Sequence, residues 1–391
     1  MQFVETKDLR PGMRLAKPVY NRMGVLLYDR NSFLTAPGIK SIENFGLIGL
    51  FILEPAEPLP PLSEEDIQFE QFQTIYVFRA KEVMDDLQKE TAPATLNELV
   101  DSILEKYGSV NHKVNFTQAL RSSADYVYKH SISTAILCAL MANNLKLSDT
   151  DKKRVVTAAL LYDLGYLFVP RKILDKKDNY FTDEDQHVIH ECRKKGYQLL
   201  FPETNKYELD PQVLTIIFQV HSMMSLSDEE LKDKTFSLSA QLLLTADIFD
   251  QLTAMNLHHS PISEVAAIRH IWEFPERYPT RIVSALAQTI HILPKGCSID
   301  LSDGDKGIVL MENPENFLAP LILNIRTNML YDLSVPEVAR DLQIVDIMKT
   351  MDNRIIIDEE SLQHFSADDN LQDSLTNYKK RKADKLKRFF S

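Results

Sequence analysis

Residues 155–170 read VVTAALLYDLGYLFVP. An unbroken apolar run leads into Tyr162-Asp163-Leu164-Gly165-Tyr166, where a carboxylate and a glycine close it. The run predicts a buried helix, and its ending places the Asp163 carboxylate at a helix end facing the interior. A charge there is costly unless a metal, a cation or hydrogen bonds compensate it. The surroundings of Asp163 therefore decide what the chain can do.

The flanking pattern is helical. Ser63-Glu64-Glu65-Asp66 and Thr182-Asp183-Glu184-Asp185 are capped helix starts with acids in the first turn, and Ser148 caps the helix that leads into the opening stretch. Apolar residues at three- and four-residue spacing predict helices over 78–89 and 94–107, and denser runs predict core helices over 125–143, 211–223 and 238–257. Residues 1–53 instead read as a small β-rich module: strand-like 14–20, 25–28 and 47–53, with a short helix over 36–45. Glu54-Pro-Ala-Glu-Pro-Leu-Pro-Pro61 holds four prolines, which allows neither a helix nor a central strand and predicts a stiff linker. Strands return at 297–301, 306–311 and 320–326, around Asp303-Gly304 and Asn313-Pro314 turns. The last fourteen residues, YKKRKADKLKRFFS, carry seven Lys or Arg against one Asp. They read either as a solvated end or as a basic segment for an acidic partner or an anionic membrane surface.

Composition narrows the class. At 391 residues the chain suggests two or three domains, and 44% hydrophobic with 26% charged residues is ordinary for a globular protein. A net charge of −12 opposes general binding to nucleic-acid polymers. Cys138, Cys192 and Cys297 lie far apart without a CxxC pair, which predicts a reducing compartment and no zinc cage. With no long apolar run or leader pattern, the expectation is a cytoplasmic protein.

Six polar residues lie in the apolar helices: His130, Asp163, His190, His221, Asp247 and Asp250. Taken singly, His130 and His221 read as core histidines hydrogen-bonded to backbone. Asp247 requires a partner, and Asp163 alone would repel it. Together, His130, Asp163, His221 and Asp247 form a mixed nitrogen and oxygen set suited to a transition metal.

In this order, His130, Tyr162-Asp163-Leu164-Gly165, Gly196, His221 and Asp247-Ile248-Phe249-Asp250 resemble the HD-GYP branch of the HD-domain phosphohydrolases. ILDKKDNYFTDED (173–185) and LTADIFDQLT (244–253) are similar to that family's flanking segments. The resemblance implies a mainly α fold: an HD-type helical bundle with a β-rich N-terminal module and a β-containing C-terminal extension. The implied division is 1–53 module, 54–62 linker, 63–120 connecting helices, 121–275 helical domain, 276–377 α/β extension and 378–391 basic tail. Active members hydrolyse cyclic di-GMP with two or three metal ions, commonly iron or manganese, that activate a water.

Carried over residue by residue, the resemblance makes His130, Asp163, His221 and Asp247 the retained metal-ligand positions. Tyr162 stands where the HD histidine belongs, Cys192 in a histidine position four residues before Gly196, and Val220 at the first member of the later histidine pair. Tyr166 replaces a lysine three residues after the aspartate. The glycine-tyrosine-proline loop is missing, since 222–235 contains neither glycine nor proline. A phenol ionises near pH 10 and is a poor ligand at neutrality, and its bulk fills space that a metal needs. The expectation is a catalytically silent member that keeps the fold as a binding, scaffold or sensor module in bacterial signalling. It would have no catalytic residue and no cofactor, or at most one loosely held iron, manganese or zinc ion. Protein partners, including a second copy, are expected. Cyclic di-GMP would have to bind without the loop and the lysine. The second reading is a metal-dependent cyclic di-GMP phosphodiesterase with an altered site and Asp163 as its central carboxylate.

Overall fold

The computed structural model describes residues 2–20, 25–53, 63–174, 176, 181–201, 207–255, 259–314 and 316–347. The expected linker (54–62) and basic tail (378–391) lie outside the described residues. Those described fall into two compact units, one ending at His291 and the other beginning at Ile292. The chain is mainly helical with small antiparallel sheets near each end, as the resemblance implied.

The first unit opens with strands β1 (Gln2–Glu5), β2 (Arg14–Leu15), β3 (Val19–Tyr20) and β4 (Leu26–Tyr28), then helix α1 (Ala36–Phe45) and β5 (Gly49–Leu53). The sequence reading of 14–20 as one strand is corrected. Pro18 lacks an N–H for a ladder, and the segment splits so that β2 pairs with β5 and β3 with β4. Strand β5 lies between β1 and β2 and is buried throughout. Leu15, Val19, Leu34, Ile42, Leu50 and Ile52 form the core of this module.

Helices α2 (Glu64–Gln88) and α3 (Leu96–Tyr107) follow. The helix expected over 78–89 is the second half of α2, which runs unbroken from its capped start. Ser63 Oγ accepts from the Asp66 amide and the Asp66 carboxylate accepts from the Ser63 amide. Helix α4 (Tyr126–Asn144) is the central element. It buries residues around its whole circumference from His130 to Ala142, as a helix with neighbours on every side must. Its partners include α5 (Asp149–Leu161), α2, α3 and two later helices.

Helix α5 ends at the decisive stretch, and a 3-10 turn (Leu164–Phe168) begins there with Asp163 as its flanking residue. Next come the short α6 (Arg171–Leu174) and α7 (Asp183–Leu200), whose start is the capping box read in the sequence. Helix α7 lies against the 3-10 turn at two glycines. A Cβ on Gly196 would sit 2.3 Å from the Gly165 amide nitrogen, and one on Gly165 would sit 2.5 Å from the Arg193 Cα. Helices α8 (Pro211–Ser225), α9 (Asp228–Lys232), α10 (Leu238–Thr253), α11 (Glu264–Trp272) and α12 (Thr280–Thr289) complete the bundle. Helix α10 stops at Thr253, short of the expected 257. Ala254 turns to extended backbone there, and residues 256–258 lie outside the described set.

The second unit is a five-stranded antiparallel sheet of β6 (Ser298–Leu301), β7 (Lys306–Met311), β8 (Leu321–Asn324), β9 (Met329–Asp332) and β10 (Ile344–Ile347), with helix α13 (Pro336–Asp341) before β10. Its order is β10-β6-β7-β8-β9, and Ile308, Leu310, Leu321 and Leu323 form its apolar core. The first three strands match the expected ones within two residues, while β9 and β10 were not anticipated.

Candidate functional site

Four elements bring one cluster of polar side chains into the interior of the bundle. Helix α4 contributes His130, 1% exposed, and α10 contributes Asp247 and Asp250 one turn apart on the same face. The end of α5 contributes Tyr162, which is buried, and the segment before α4 contributes Arg121, which is wholly buried.

His130 is held at both ring nitrogens. Nδ1 donates to Asp250 Oδ2 at 2.5 Å, and Nε2 faces Tyr162 Oη at 2.5 Å and Asp247 Oδ1 at 3.0 Å. The Tyr162 hydroxyl in turn donates to Asp247 Oδ1 at 2.6 Å, so its oxygen is the acceptor for the His130 N–H. A carboxylate beside each ring nitrogen calls for a proton on both. Burial opposes that charge, but the hydrogen bonds and charges of Asp247 and Asp250 outweigh it and raise the His130 pKa to about 10. The reading of His130 as a core histidine bonded to backbone is corrected: its three ring contacts, to Asp250, Tyr162 and Asp247, are all to side chains.

Arg121 closes the other side. Its Nη2 donates to Asp250 Oδ1 at 2.7 Å, and to Gln118 Oε1 and Ser133 Oγ at 3.2 and 3.4 Å. The guanidinium stacks 5.4 Å from the ring centre of Tyr126, which itself lies parallel to His130. Although burial works against its charge, Asp250 is depressed to about 2 by Arg121 and His130. Two cations, Arg121 and His130, thus face two carboxylates, Asp247 and Asp250. The group is neutral as a whole, which is how charges survive without water. Arg121 was missed in the sequence because it stands alone in a loop. The available signal was the excess of buried carboxylates over cations in the neighbouring helices.

The remaining expected site residues are placed as follows. Asp163 is 7% exposed, and among the described residues no side chain donates a hydrogen bond to its carboxylate. Burial raises its pKa to about 6 against the charges of His130 and Arg193. His221 is neutral. Burial and the charge of Arg193 lower its pKa to about 4, and its Nε2–H donates to the Tyr162 backbone carbonyl at 2.8 Å. That contact is the backbone-bonded core histidine which the sequence allowed. Val220 is fully buried, Cys192 is half-buried with its thiol pushed up by burial, and Tyr166 lies 6.4 Å from Tyr126 between ring centres. His190 on α7 is exposed.

The candidate ligands are engaged with protein groups in this structure. Both His130 nitrogens and His221 Nε2 are committed to protein acceptors, and Asp247 Oδ1 already receives Tyr162, His130 and Gln251. Among the described residues, no three His, Cys, Asp or Glu side chains are grouped to hold an ion.

Against known proteins, the model of the HD domain family matches residues 115–278. The chain is 24% identical over 205 residues to the cyclic di-GMP phosphodiesterase PA4108 of Pseudomonas aeruginosa, covering 52% of this chain and 49% of that protein. It is 21% identical over 221 residues to the cyclic di-GMP phosphodiesterase PdeB of Borreliella burgdorferi (55% and 56%). To the 3'3'-cGAMP-specific phosphodiesterase 3 of Vibrio cholerae it is 29% identical over 195 residues (46% and 38%). The chain thus spans about half the length, or less, of these curated relatives. Among solved structures, Bd1817, a HDG"Y"P protein from Bdellovibrio bacteriovorus, is similar with a TM-score of 0.44 and 16% identity, over 73% of this chain and 97% of that one.

Proposed function

Residues 115–278 of the chain belong to the HD domain family, and from that premise we propose a non-hydrolysing signalling protein that works by binding. Its place is in cyclic-dinucleotide regulation, the setting named for its curated relatives. The observation that carries this reading is the position of the Tyr162 hydroxyl, 2.5 Å from His130 Nε2 and 2.6 Å from Asp247 Oδ1. A phenol and a proton on His130 hold together side chains that, in the active members the chain resembles, hold ions. The same reading treats Tyr162, Cys192 and Val220 as lost ligand positions and Tyr166 as a lost phosphate contact.

The bundle then serves as a scaffold for protein partners, with a second copy of the chain among the options to test. The seven Lys or Arg of 378–391 suit an acidic partner or an anionic membrane surface. The three free cysteines fit a reducing, cytoplasmic setting, and no helix among the described residues is long and apolar enough to cross a membrane.

The test is metal analysis of protein purified without chelator, followed by manganese assays on cyclic di-GMP and bis-p-nitrophenyl phosphate. The expected result is far less than one metal per chain, and rates equal to those of Asp163→Ala. Two or more equivalents of iron or manganese, or hydrolysis that Asp163→Ala removes, would overturn the reading. A pull-down with and without residues 378–391 tests the binding role of the tail.

A further inference from the structure

Residues 118–122, between α3 and α4, run almost without regular secondary structure, yet Gln118, Arg121 and Ser122 are buried. A buried irregular segment must find partners for its backbone polar groups. This one finds them on two sides, both within the first unit. From the N-terminal module, Lys17 Nζ donates to the Gln118 carbonyl at 2.9 Å, and the Ile48 amide donates to the Arg121 carbonyl at 3.0 Å. Leu47 pairs with Ser122 in an isolated antiparallel bridge, and Leu120 packs against the module's apolar core. From the bundle, Lys129 on α4 donates to the Leu120 carbonyl at 2.6 Å.

Two side chains of the segment reach the other way, to α10. Gln118 Nε2 donates to Thr253 Oγ1 at 3.0 Å, and Arg121 Nη2 donates to Asp250 Oδ1 at 2.7 Å. Arg121 is thus gripped twice, by the module at its carbonyl and by the buried charge cluster at its guanidinium. The guanidinium is wholly buried and lies 5.4 Å from the ring centre of Tyr126. Close packing leaves it no slack to stay on Asp250 while its own backbone moves. Elsewhere the junction is less full. A cavity of about 190 Å³ lies between the module, α2 and this segment, lined among others by Lys17, Phe45, Leu120 and Ser122. The directed contacts therefore carry much of the hold. Halfway arrangements are unfavourable, because Asp250 would lose one of its two cations inside the core, and removing one partner of a buried ion pair is strongly destabilising. Two arrangements remain: the module docked with the pair made, and the module undocked with the pair broken.

We propose that the N-terminal module is an input domain: its docking on residues 118–122 and the Arg121–Asp250 pair form one two-state switch. The switch operates whether the bundle binds or hydrolyses. Whatever draws the module off the segment reaches His130 through Asp250, and whatever alters the cluster changes the module's hold, with the same coupling in both directions. Lys17 is the positioning residue on the module's side. Besides its bond to Gln118, its ammonium lies 3.6 Å from Glu70 of α2 and 5.7 Å from the ring centre of Phe51 on β5, so contacts on three sides fix it.

The test is residue-resolved hydrogen exchange on the full chain, read at the end opposite to each substitution. Asp250→Asn, in the bundle, should speed exchange of the Ile48 amide about tenfold relative to the amides of the β1–β5 ladder, which pair within the module. Gly196→Ala, which loosens the contact of α7 instead, should leave that ratio at its wild-type value. In the reverse direction, Lys17→Met should speed exchange of the Arg121 guanidinium protons about tenfold relative to those of Arg277, which Asp228 and the end of α8 hold. If Asp250→Asn does not fold, the Lys17→Met measurement decides. An Ile48 ratio unchanged by Asp250→Asn, or Arg121 protons indifferent to Lys17→Met, overturns the proposal. An equal shift of the Ile48 ratio in Gly196→Ala also overturns it, since general loosening would then account for the effect.

Discussion

Single residues set the character of the buried cluster. His130 has a folded pKa raised to about 10 from an ordinary 6.5, so its contribution to stability is complete below about pH 6.5 and is lost as pH rises toward 10. Asp163, raised to about 6, acts in the same sense between about pH 4 and 6, while His221, lowered to about 4, acts oppositely below 6.5. The clean window is therefore about pH 7 to 8, because above it Cys138 and Tyr162, whose pKa values burial also raises, act in the same sense. Ring nitrogen shifts of His130 measured by NMR should remain those of an imidazolium at pH 8, and urea midpoints should already fall from pH 7 to 8. A neutral ring at pH 8 would show that the carboxylates do not hold the proton. Tyr162→Phe tests the other half of the arrangement. It removes one donor to Asp247 and one acceptor from His130 without opening a large cavity, and should cost about 1–3 kcal/mol in denaturant unfolding. An unchanged midpoint would mean that the hydroxyl is not integral to the cluster. Of these residues, His130, Asp163, His221 and Asp247 could be picked out in the sequence as polar residues in apolar helices. Of their partners, Asp250 and Tyr162 were also singled out in the sequence, but Arg121 was not, because it meets Asp250 only through packing.

At the level of elements, the contact between α7 and the 3-10 turn after Asp163 depends on two glycines. The Cβ introduced by Gly196→Ala would lie 2.3 Å from the Gly165 amide nitrogen, with backbone on both sides and no flexible side chain to move. Forced overpacking of this kind costs about 1–3 kcal/mol or more. The variant should lose that much in chemical unfolding, whereas Gln198→Ala, on an exposed position two residues along α7, should change stability by less than about 0.5 kcal/mol. Equal effects would mean that helix propensity, not the close approach, governs the site. Helix starts were legible because the capping residues are local: Ser63, Ser148 and Thr182 each cap the helix expected of them. Strand ends and the strands β9 and β10 were less so. β9 is only partly covered, with the burial of its four residues running from exposed to half-buried, so its apolar signal is faint. β10 joins the sheet beside β6, far from it in sequence, and a bulge interrupts their register.

Across the whole molecule, local sequence determined the helical class, the β-rich beginning, the return to strands after residue 297 and the order of motifs that matches the HD domain over 115–278. These follow from periodicity and capping, which act within a few residues. Tertiary structure alone decided how the polar residues of four segments meet. It placed a hydroxyl and a proton between His130 and Asp247 and set Arg121 against Asp250. The physical reason is that burial makes each charge dependent on partners more than thirty residues away, at Tyr162, and more than a hundred away, at Asp247 and Asp250. No local pattern records such distances, so the fold could be read from the chain while the state of its centre could not.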